Sequence, residues 1–207
     1  MVDDGSSDNS FEIIQNLKIS NLKLFRLIKN TGASAARNKG LDESNGEYVY
    51  FMDVDDSIDK DALKILYSMA KKYDCDFVFS DFKRIIGSKN QRDKTFNYDH
   101  DKTFDKTELL QHMQKEINDP SLGHLGLFGC NGRVIKRSVI ENNKIRFVNE
   151  LRFLEDKTFC WDNYSSICLL GNGRCIQRWK PKCYSINRLR KGKHSGICKL
   201  HSKIKSE

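Results

Sequence analysis

The sequence predicts an α/β fold in which helices cover both faces of a mostly parallel sheet. Short apolar runs, such as "EYVYFM" at 47–52 and "DFVFS" at 76–80, alternate with segments of helical periodicity. The first of these runs has no polar alternation, which is typical of a strand covered on both faces. Strands that alternate with helices at this spacing form parallel pairs through right-handed crossovers.

Three helices are expected in the first half of the chain. The first spans about 8–18 behind the capping residues Ser7 and Asp8, and the second spans about 35–44. Between them, 21–28 contains a short strand. The third helix spans about 59–73, and its apolar stripe consists of Leu63, Leu66, Met69, Ala70 and Tyr73.

The second half of the chain is less regular. Residues 83–105 are polar and lack periodicity, which predicts a long loop. A fourth helix begins near Asp105, and Glu108 completes a capping box with it. Residues 127–140 are expected to form short strands or a strand and a helix, and 145–147 a further short strand.

The positive charge of the chain is concentrated towards its C-terminal end. Residues 174–205 contain eleven Lys or Arg and no acid, whereas 1–173 carry 25 basic and 27 acidic side chains. The chain has 207 residues, 38% of them hydrophobic, and is expected to form one domain over 1–163 and a basic tail over 164–207. The tail is a solvated end in the simplest interpretation; otherwise it contacts an anionic membrane surface or nucleic-acid phosphates.

No feature of the sequence predicts export or a membrane span. The apolar runs are far shorter than the roughly 20 residues of a membrane-spanning helix, and no signal peptide opens the chain. The seven cysteines include no C-x-x-C pair, so reduced thiols are expected rather than disulfides or a zinc site. These features together predict a cytoplasmic protein.

Aspartates follow two of the predicted strands. Asp3 and Asp4 stand at the first strand end, and Asp53, Asp55 and Asp56 stand at the other. Open parallel sheets bind ligands at the carboxyl ends of their strands. Carboxylates at i and i+2 converge on one hard cation, and Mg²⁺ or Mn²⁺ in such sites commonly also contacts nucleotide phosphates. The spacing predicts a metal–diphosphate site, and the alternative is that these acids only cap turns and helices.

Three segments resemble conserved blocks of family 2 glycosyltransferases in their order and approximate separation. They are "VDDGSSDNS" at 2–10, "NTGASAARNKGLDESNGEYVYFMDVDDS" at 30–57 and "LRFLEDKTF" at 151–159. The resemblance covers about 2–160 and implies a GT-A fold, with a Rossmann-like nucleotide-diphospho-sugar transferase domain over 1–163. It implies an inverting glycosyltransferase that moves a sugar from a nucleotide-sugar donor, a UDP-sugar, to a glycan or lipid-linked acceptor. The product would belong to a bacterial surface polysaccharide or lipooligosaccharide.

The resemblance also assigns roles to residues of the donor site. Asp4, with Asp3 beside it, matches the position that contacts the uracil. Arg37 matches an arginine that orders the nucleotide pocket or its acids. Asp53 and Asp55 match the D-x-D pair, which binds the nucleotide sugar and a Mn²⁺ or Mg²⁺ ion.

The third block supplies the catalytic base. Asp156 matches this residue, which removes a proton from the acceptor hydroxyl as that oxygen attacks the anomeric carbon. Glu155, which precedes it, and Asp56 are expected to be further residues that bind the nucleotide sugar. The metal would stabilise charge on the departing diphosphate. The segments 83–105 and 128–137 are expected to help bind the acceptor.

Two features depart from the family pattern. Family members begin with a buried strand of the type S-V-I-I-P-x-Y-N and a helix, whereas this chain starts at the end of the second strand. Met1 is therefore expected to be an internal methionine of a longer domain. The tail is only loosely similar to a later basic segment of the family, and Arg188, Arg190 and His194 contact either a diphosphate or solvent.

Three other interpretations stay open. "YVYFMDVDD" also fits a haloacid-dehalogenase-type phosphatase, in which the first Asp is the nucleophile. The tail also fits a basic module that binds nucleic acid or membrane, although no recognition motif is present and no nucleic-acid partner is expected. A chain without its first strand also fits an inactive remnant of a glycosyltransferase gene.

Overall fold

The computed structural model describes residues 1–80, 82–86, 89–93, 101–118, 129–151, 155–170, 175–178 and 185–187. Its helices are α1 (Ser10–Asn16), α2 (Ala33–Glu43), α3 (Ala62–Lys72), α4 (Lys106–Asn118), α5 (Arg137–Asn142) and α6 (Glu155–Leu170). Its strands are β1 (Val2–Asp3), β2 (Phe25–Arg26), β3 (Tyr48–Tyr50), β4 (Asp56–Ser57), β5 (Phe77–Ser80), β6 (Phe82–Ile86), β7 (Lys89–Asp93), β8 (Lys102–Phe104), β9 (Arg133–Lys136), β10 (Cys175–Arg178) and β11 (Ser185–Asn187). Helices and strands alternate in the first half of the chain, and the predicted α/β class is confirmed.

The central sheet has five strands in the order β3-β9-β5-β10-β8. Strand β5 runs parallel to β10, whereas β9 runs antiparallel to both β3 and β5. Strand β8 is antiparallel to β10 at the other edge. The sheet is therefore mixed: β3, β5 and β10 share one direction, and β9 and β8 run the opposite way.

Apolar clusters cover both faces of this sheet. Successive side chains of a strand point to opposite faces, and accordingly Phe77 and Phe79 of β5 lie in one cluster while Val78 lies in another. The first cluster includes buried residues of α2, α4, α5 and α6, and the second includes residues of α3. The predicted arrangement of helices on both faces follows from this division.

Helices α3 and α4 form largely for the predicted reasons. Leu66, Met69 and Ala70 are buried on one stripe of α3, but Leu63, which was expected on that stripe, is 45% exposed. The capping box at the start of α4 is confirmed: the Glu108 N–H donates to Asp105 Oδ1 at 2.9 Å, and Asp105 N–H donates to Glu108 Oε2 at 3.1 Å.

Two predictions of local structure were wrong. Most of the predicted loop over 83–105 forms strands: β6 and β7 pair as an antiparallel hairpin, and β8 joins the central sheet. Residues 87–88 and 94–100 of that loop lie outside the described residues. The expected strand at 145–147 is absent: these residues lead from α5 towards the candidate site and do not pair with any strand of the described residues.

Two strands come from the basic C-terminal segment. Strand β10 lies between β5 and β8, and β11 pairs with β4 and β6 in a four-stranded sheet of order β4-β11-β6-β7. The division of the chain at 163/164 stays a prediction, and Arg188, Arg190 and His194 lie outside the described residues. Within the described residues, no helix combines the length and the apolar character needed to span a membrane.

Candidate active site

Three aspartates converge just beyond β3. Asp53, Asp55 and Asp56 each offer a carboxylate oxygen, and these oxygens lie within 4.8 Å of one another. The position of these aspartates is set by Phe51, two residues before Asp53. Phe51 is buried and packs edge-on against Phe147, with ring centroids 5.2 Å apart. The predicted convergence of the D-x-D acids is therefore present in the structure.

Arg37 connects these acids to a second acidic pair that is distant in sequence. Its Nη2 donates to Asp53 Oδ1 at 3.0 Å, while its Nη1 donates to Glu155 Oε1 at 3.1 Å and to Asp156 Oδ1 at 2.8 Å. The Arg37 side chain is only 13% exposed. One planar guanidinium thus contacts three carboxylates at once.

The electrostatic balance at Arg37 favours its charged form. Burial alone would lower the pKa of Arg37, but the adjacent Cys130, Asp156 and Asp53 raise this pKa above its ordinary value. The guanidinium also lies over the Phe147 ring, 5.3 Å from its centroid. Arg37 is therefore a permanent cation held between an acidic cluster and an aromatic ring.

Asp156 lies in the first turn of α6, next to Glu155. Burial raises the pKa of Asp156 above the usual range, although Arg37 and a hydrogen bond from the Cys130 thiol act in the opposite direction. Cys130 Sγ lies 3.2 Å from Asp156 Oδ1, the same oxygen that accepts from Arg37. Both donors reach Oδ1, and the described residues supply no hydrogen-bond partner for Oδ2.

Phe147 positions the two halves of the site. Its ring stacks on Phe159 of α6 with centroids 3.9 Å apart and planes 3° from parallel. Its backbone is held by Asn38 of α2: the Phe147 N–H donates to Asn38 Oδ1 at 2.9 Å, and Asn38 Nδ2 donates to the Phe147 carbonyl at 2.8 Å. Helices α2 and α6, which carry Arg37 and Asp156, are thereby fixed against one residue.

Asp3 and Asp4 form a separate group at the two-stranded parallel sheet of β1 and β2. The buried Asp3 forms an ion pair with Arg26, whose Nε lies 3.2 Å from Asp3 Oδ2. Asp4 accepts from the backbone N–H groups of Thr31 and Gly32, each at 2.8 Å. These bonds tie Asp4 to the start of α2, one turn before Arg37.

The predicted site residues thus fall into two groups. The first consists of Arg37, Asp53, Asp55, Asp56, Glu155 and Asp156. The second consists of Asp3 and Asp4, and no hydrogen bond or ion pair between described residues joins it to the acids of the first.

Sequence reasoning missed two residues that contact the acids. Asn131 Nδ2 donates to Asp53 Oδ2 at 2.7 Å and approaches Asp56 Oδ2 at 3.4 Å, and Cys130 contacts Asp156. Both lie in the segment 128–137, which was considered only for acceptor binding. The letters "GCNG" show no pattern that would have marked them.

Comparisons with known proteins agree on one family. The family model described as "Glycosyl transferase family 2" matches residues 1–143. The chain is 46% identical over 84 residues to a cholesterol galactosyltransferase of Borreliella burgdorferi, covering 40% of this chain and 23% of that protein. It is 32% identical over 162 residues to the poly(ribitol-phosphate) beta-N-acetylglucosaminyltransferase TarP of Staphylococcus aureus, covering 77% of this chain and 45% of TarP.

A solved structure is similar over almost the whole chain. The crystal structure of S. aureus TarS in complex with UDP-GlcNAc superposes with a TM-score of 0.73 at 25% identity, covering 93% of this chain and 50% of that chain. The chain therefore spans between about a quarter and half of the length of these relatives.

Proposed function

The chain belongs to glycosyl transferase family 2 and has the GT-A fold, and on this premise we propose that it transfers a sugar from a nucleotide-diphospho-sugar to a hydroxyl of a cell-surface glycan. The transfer inverts the anomeric centre. The family match sets aside the phosphatase interpretation.

One observation carries this proposal: Arg37 contacts the donor-site acid Asp53 and the acceptor-side acid Asp156 through a single guanidinium. A transferase needs the anomeric carbon of the donor between the group that holds the diphosphate and the base that activates the acceptor. The contacts of one guanidinium with both Asp53 and Asp156 support assigning these two tasks to neighbouring residues.

Asp156 is the proposed general base. Its pKa is raised by burial, which makes its carboxylate a better proton acceptor than an exposed aspartate. Because Oδ1 is held by Arg37 and Cys130, Oδ2 takes the proton from the acceptor hydroxyl. Glu155 shares the Arg37 contact and orients the guanidinium.

The acid cluster fits a divalent cation of the Mg²⁺ or Mn²⁺ type. Hard cations of this kind take oxygen ligands, and Asp53, Asp55 and Asp56 bring theirs within 4.8 Å of one another. With Glu155 and Asp156, the cluster contains five carboxylates in total, and Arg37 supplies one positive charge among them. In our proposal Asp53 and Asp55 hold the ion, which when bound stabilises charge on the leaving diphosphate.

The proposed donor is a UDP-sugar. TarS is described in complex with UDP-GlcNAc, and the relatives are named for transfer of galactose or N-acetylglucosamine. Asp3 and Asp4 are proposed to line the nucleoside pocket, and Asp56 to support it. The acceptor is proposed to be a glycan or lipid-linked glycan that contacts 129–137. A cytoplasmic location and a peripheral contact between the basic tail and an anionic membrane stay predictions.

Release of UDP from a panel of UDP-hexoses in the presence of Mn²⁺ tests the proposal. The variant Asp156→Asn is expected to lower kcat by about 10²- to 10⁴-fold, as for loss of a general base. Binding of UDP, measured by calorimetry, should stay unchanged because the D-x-D acids are intact. The matched control is Asp162→Asn, a substitution of the same type on the same helix, six positions after Asp156.

Two results would contradict the proposal in different ways. Full activity of the Asp156→Asn variant would remove the base assignment while leaving the donor assignment standing. Absence of any UDP binding by the unmodified chain would remove the donor assignment.

A further inference from the structure

Asn131 bridges two acids of the proposed donor site through one amide group. Its Nδ2 carries two hydrogens, and it lies 2.7 Å from Asp53 Oδ2 and 3.4 Å from Asp56 Oδ2. Asp53 and Asp56 are close enough to repel each other when both are ionised. A neutral donor between them stabilises both carboxylates and leaves their negative charge undiminished.

The orientation of this amide is determined by its surroundings. The carboxylates of Asp53 and Asp56 lie on the Nδ2 side of the amide. A flipped amide would turn its oxygen towards Asp53 and Asp56, which accept but do not donate when ionised. The side chain therefore has one favourable orientation, with its donors towards the acids.

The backbone of Asn131 is also held firmly in place. Arg133, which is buried, donates through Nη1 to the Asn131 carbonyl at 2.7 Å. Residue 131 forms an isolated β-bridge with Phe51, two positions before Asp53. The following Gly132 has φ +74, a left-handed conformation that favours glycine and turns the chain into β9. The amide is thus supported from the core of the sheet.

Asp53 receives a donor on each of its oxygens from opposite directions. Arg37 donates to Oδ1 at 3.0 Å and Asn131 donates to Oδ2 at 2.7 Å. The Asp53 side chain is 41% exposed, so without these bonds it would be free to rotate into solvent. The pair of donors fixes the plane of the carboxylate, and only Asn131 also reaches Asp56.

We propose that Asn131 is a positioning residue: by bonding Asp53 and the adjacent Asp56, it holds Asp53 in the arrangement in which Asp53 and Asp55 bind a divalent cation. The inference rests on the proposed function, because it concerns the same metal site. Donors that orient metal ligands typically change metal affinity by 10- to 100-fold when they are removed. Asn131 contributes through these bonds and does not itself contact substrate.

The test is a Mn²⁺ titration of the whole chain with UDP present, followed by the electron paramagnetic resonance signal of free Mn²⁺. The variant Asn131→Ala is expected to bind Mn²⁺ at least about 10-fold more weakly than the unmodified chain. Its UDP-release rate should recover when the Mn²⁺ concentration is raised, because the ligands themselves remain. The matched control is Asn143→Ala, which removes an amide that bonds the Val139 carbonyl at 2.7 Å outside the site.

A second variant guards against misfolding. Asn131→Ser keeps a polar side chain, but its hydroxyl is one bond shorter than the amide and cannot bond both carboxylates, so its Mn²⁺ affinity should also lie below that of the unmodified chain. Unchanged Mn²⁺ affinity in the two variants would overturn the inference and leave the proposed function standing. Failure of both to fold would also overturn it, since Asn131 would then support the fold rather than the acids. If the unmodified chain binds no Mn²⁺ with UDP present, the metal assignment itself falls.

Discussion

Replacing Arg37 by methionine is expected to destabilise the protein strongly at neutral pH. Glu155 and Asp156 are only 18% and 28% exposed, and a hydrogen bond to such a charged group contributes about 1.5–3 kcal/mol. Asp53 is 41% exposed, so its pair with Arg37 adds little. Methionine retains the packing of the side-chain stem. The free energy of unfolding should therefore fall by about 3–6 kcal/mol, which lowers Tm by roughly 6–24 °C for a chain of this size.

The size of this effect depends on pH in a defined direction. Arg37 lowers the pKa of Asp156, so the stabilisation from this pair is present where the carboxyl is ionised and disappears as it becomes protonated. Burial raises the same pKa, and the loss therefore begins at a higher pH than for an ordinary aspartate. The difference between the Arg37→Met variant and the unmodified chain should shrink towards acidic pH.

Urea unfolding followed by circular dichroism at neutral pH and at about pH 4 measures both quantities. Arg146→Met is the matched control, because Arg146 contacts Asp42 and Glu141 but is 34% exposed. The Arg146→Met substitution should lower the free energy of unfolding by no more than about 1 kcal/mol. The reasoning is refuted if the Arg37→Met variant is as stable as the control at neutral pH, or if its deficit is the same at both pH values.

Two further predictions concern Cys130 and Gly5. Cys130→Ala should shift the acid limb of the pH–rate profile to higher pH, because the variant loses the thiol hydrogen bond that lowers the pKa of Asp156. Cys130→Ser has a stronger donor and should shift this limb to lower pH. If both variants have the same acid limb as the unmodified chain, the assignment of Asp156 as the base is contradicted. Gly5→Ala should lower the unfolding free energy by about 1–3 kcal/mol, since φ is +68 and the new Cβ would lie 2.7 Å from the Lys29 carbonyl carbon. Gly40→Ala, with 3.8 Å of clearance inside α2, is its control in thermal unfolding and should be neutral or stabilising.

The acid cluster beyond β3 could be predicted from local sequence. A buried strand followed by aspartates at i and i+2 brings their carboxylates together through local geometry alone, and Asp53 and Asp55 do lie together. The capping box of α4 was likewise predictable, because its two hydrogen bonds join residues three positions apart. Asp156, in contrast, was identified only through resemblance to a family.

The hairpin of β6 and β7 could not be predicted in this way. Most of its residues are polar and show no regular alternation, so the pattern indicated a loop. The strands are nevertheless defined by five backbone pairs between 82–86 and 89–93, and β6 also pairs with β11. Backbone hydrogen bonds do not depend on side-chain polarity, so a largely polar segment can still pair as strands.

The sequence by itself determined which chemical groups are present and which of them are neighbours along the chain: the aspartates at strand ends, the helix caps and the apolar runs. Only the tertiary structure decided that Arg37 lies between Asp53 and Asp156, although Asp156 is 119 positions further along the chain. It also decided that Asn131 contacts Asp53, which is 78 positions earlier. The reason is physical. Local spacing is set by the geometry of one strand or helix, whereas these contacts exist only because β9 lies antiparallel between β3 and β5 and because Phe147 holds α2 against α6.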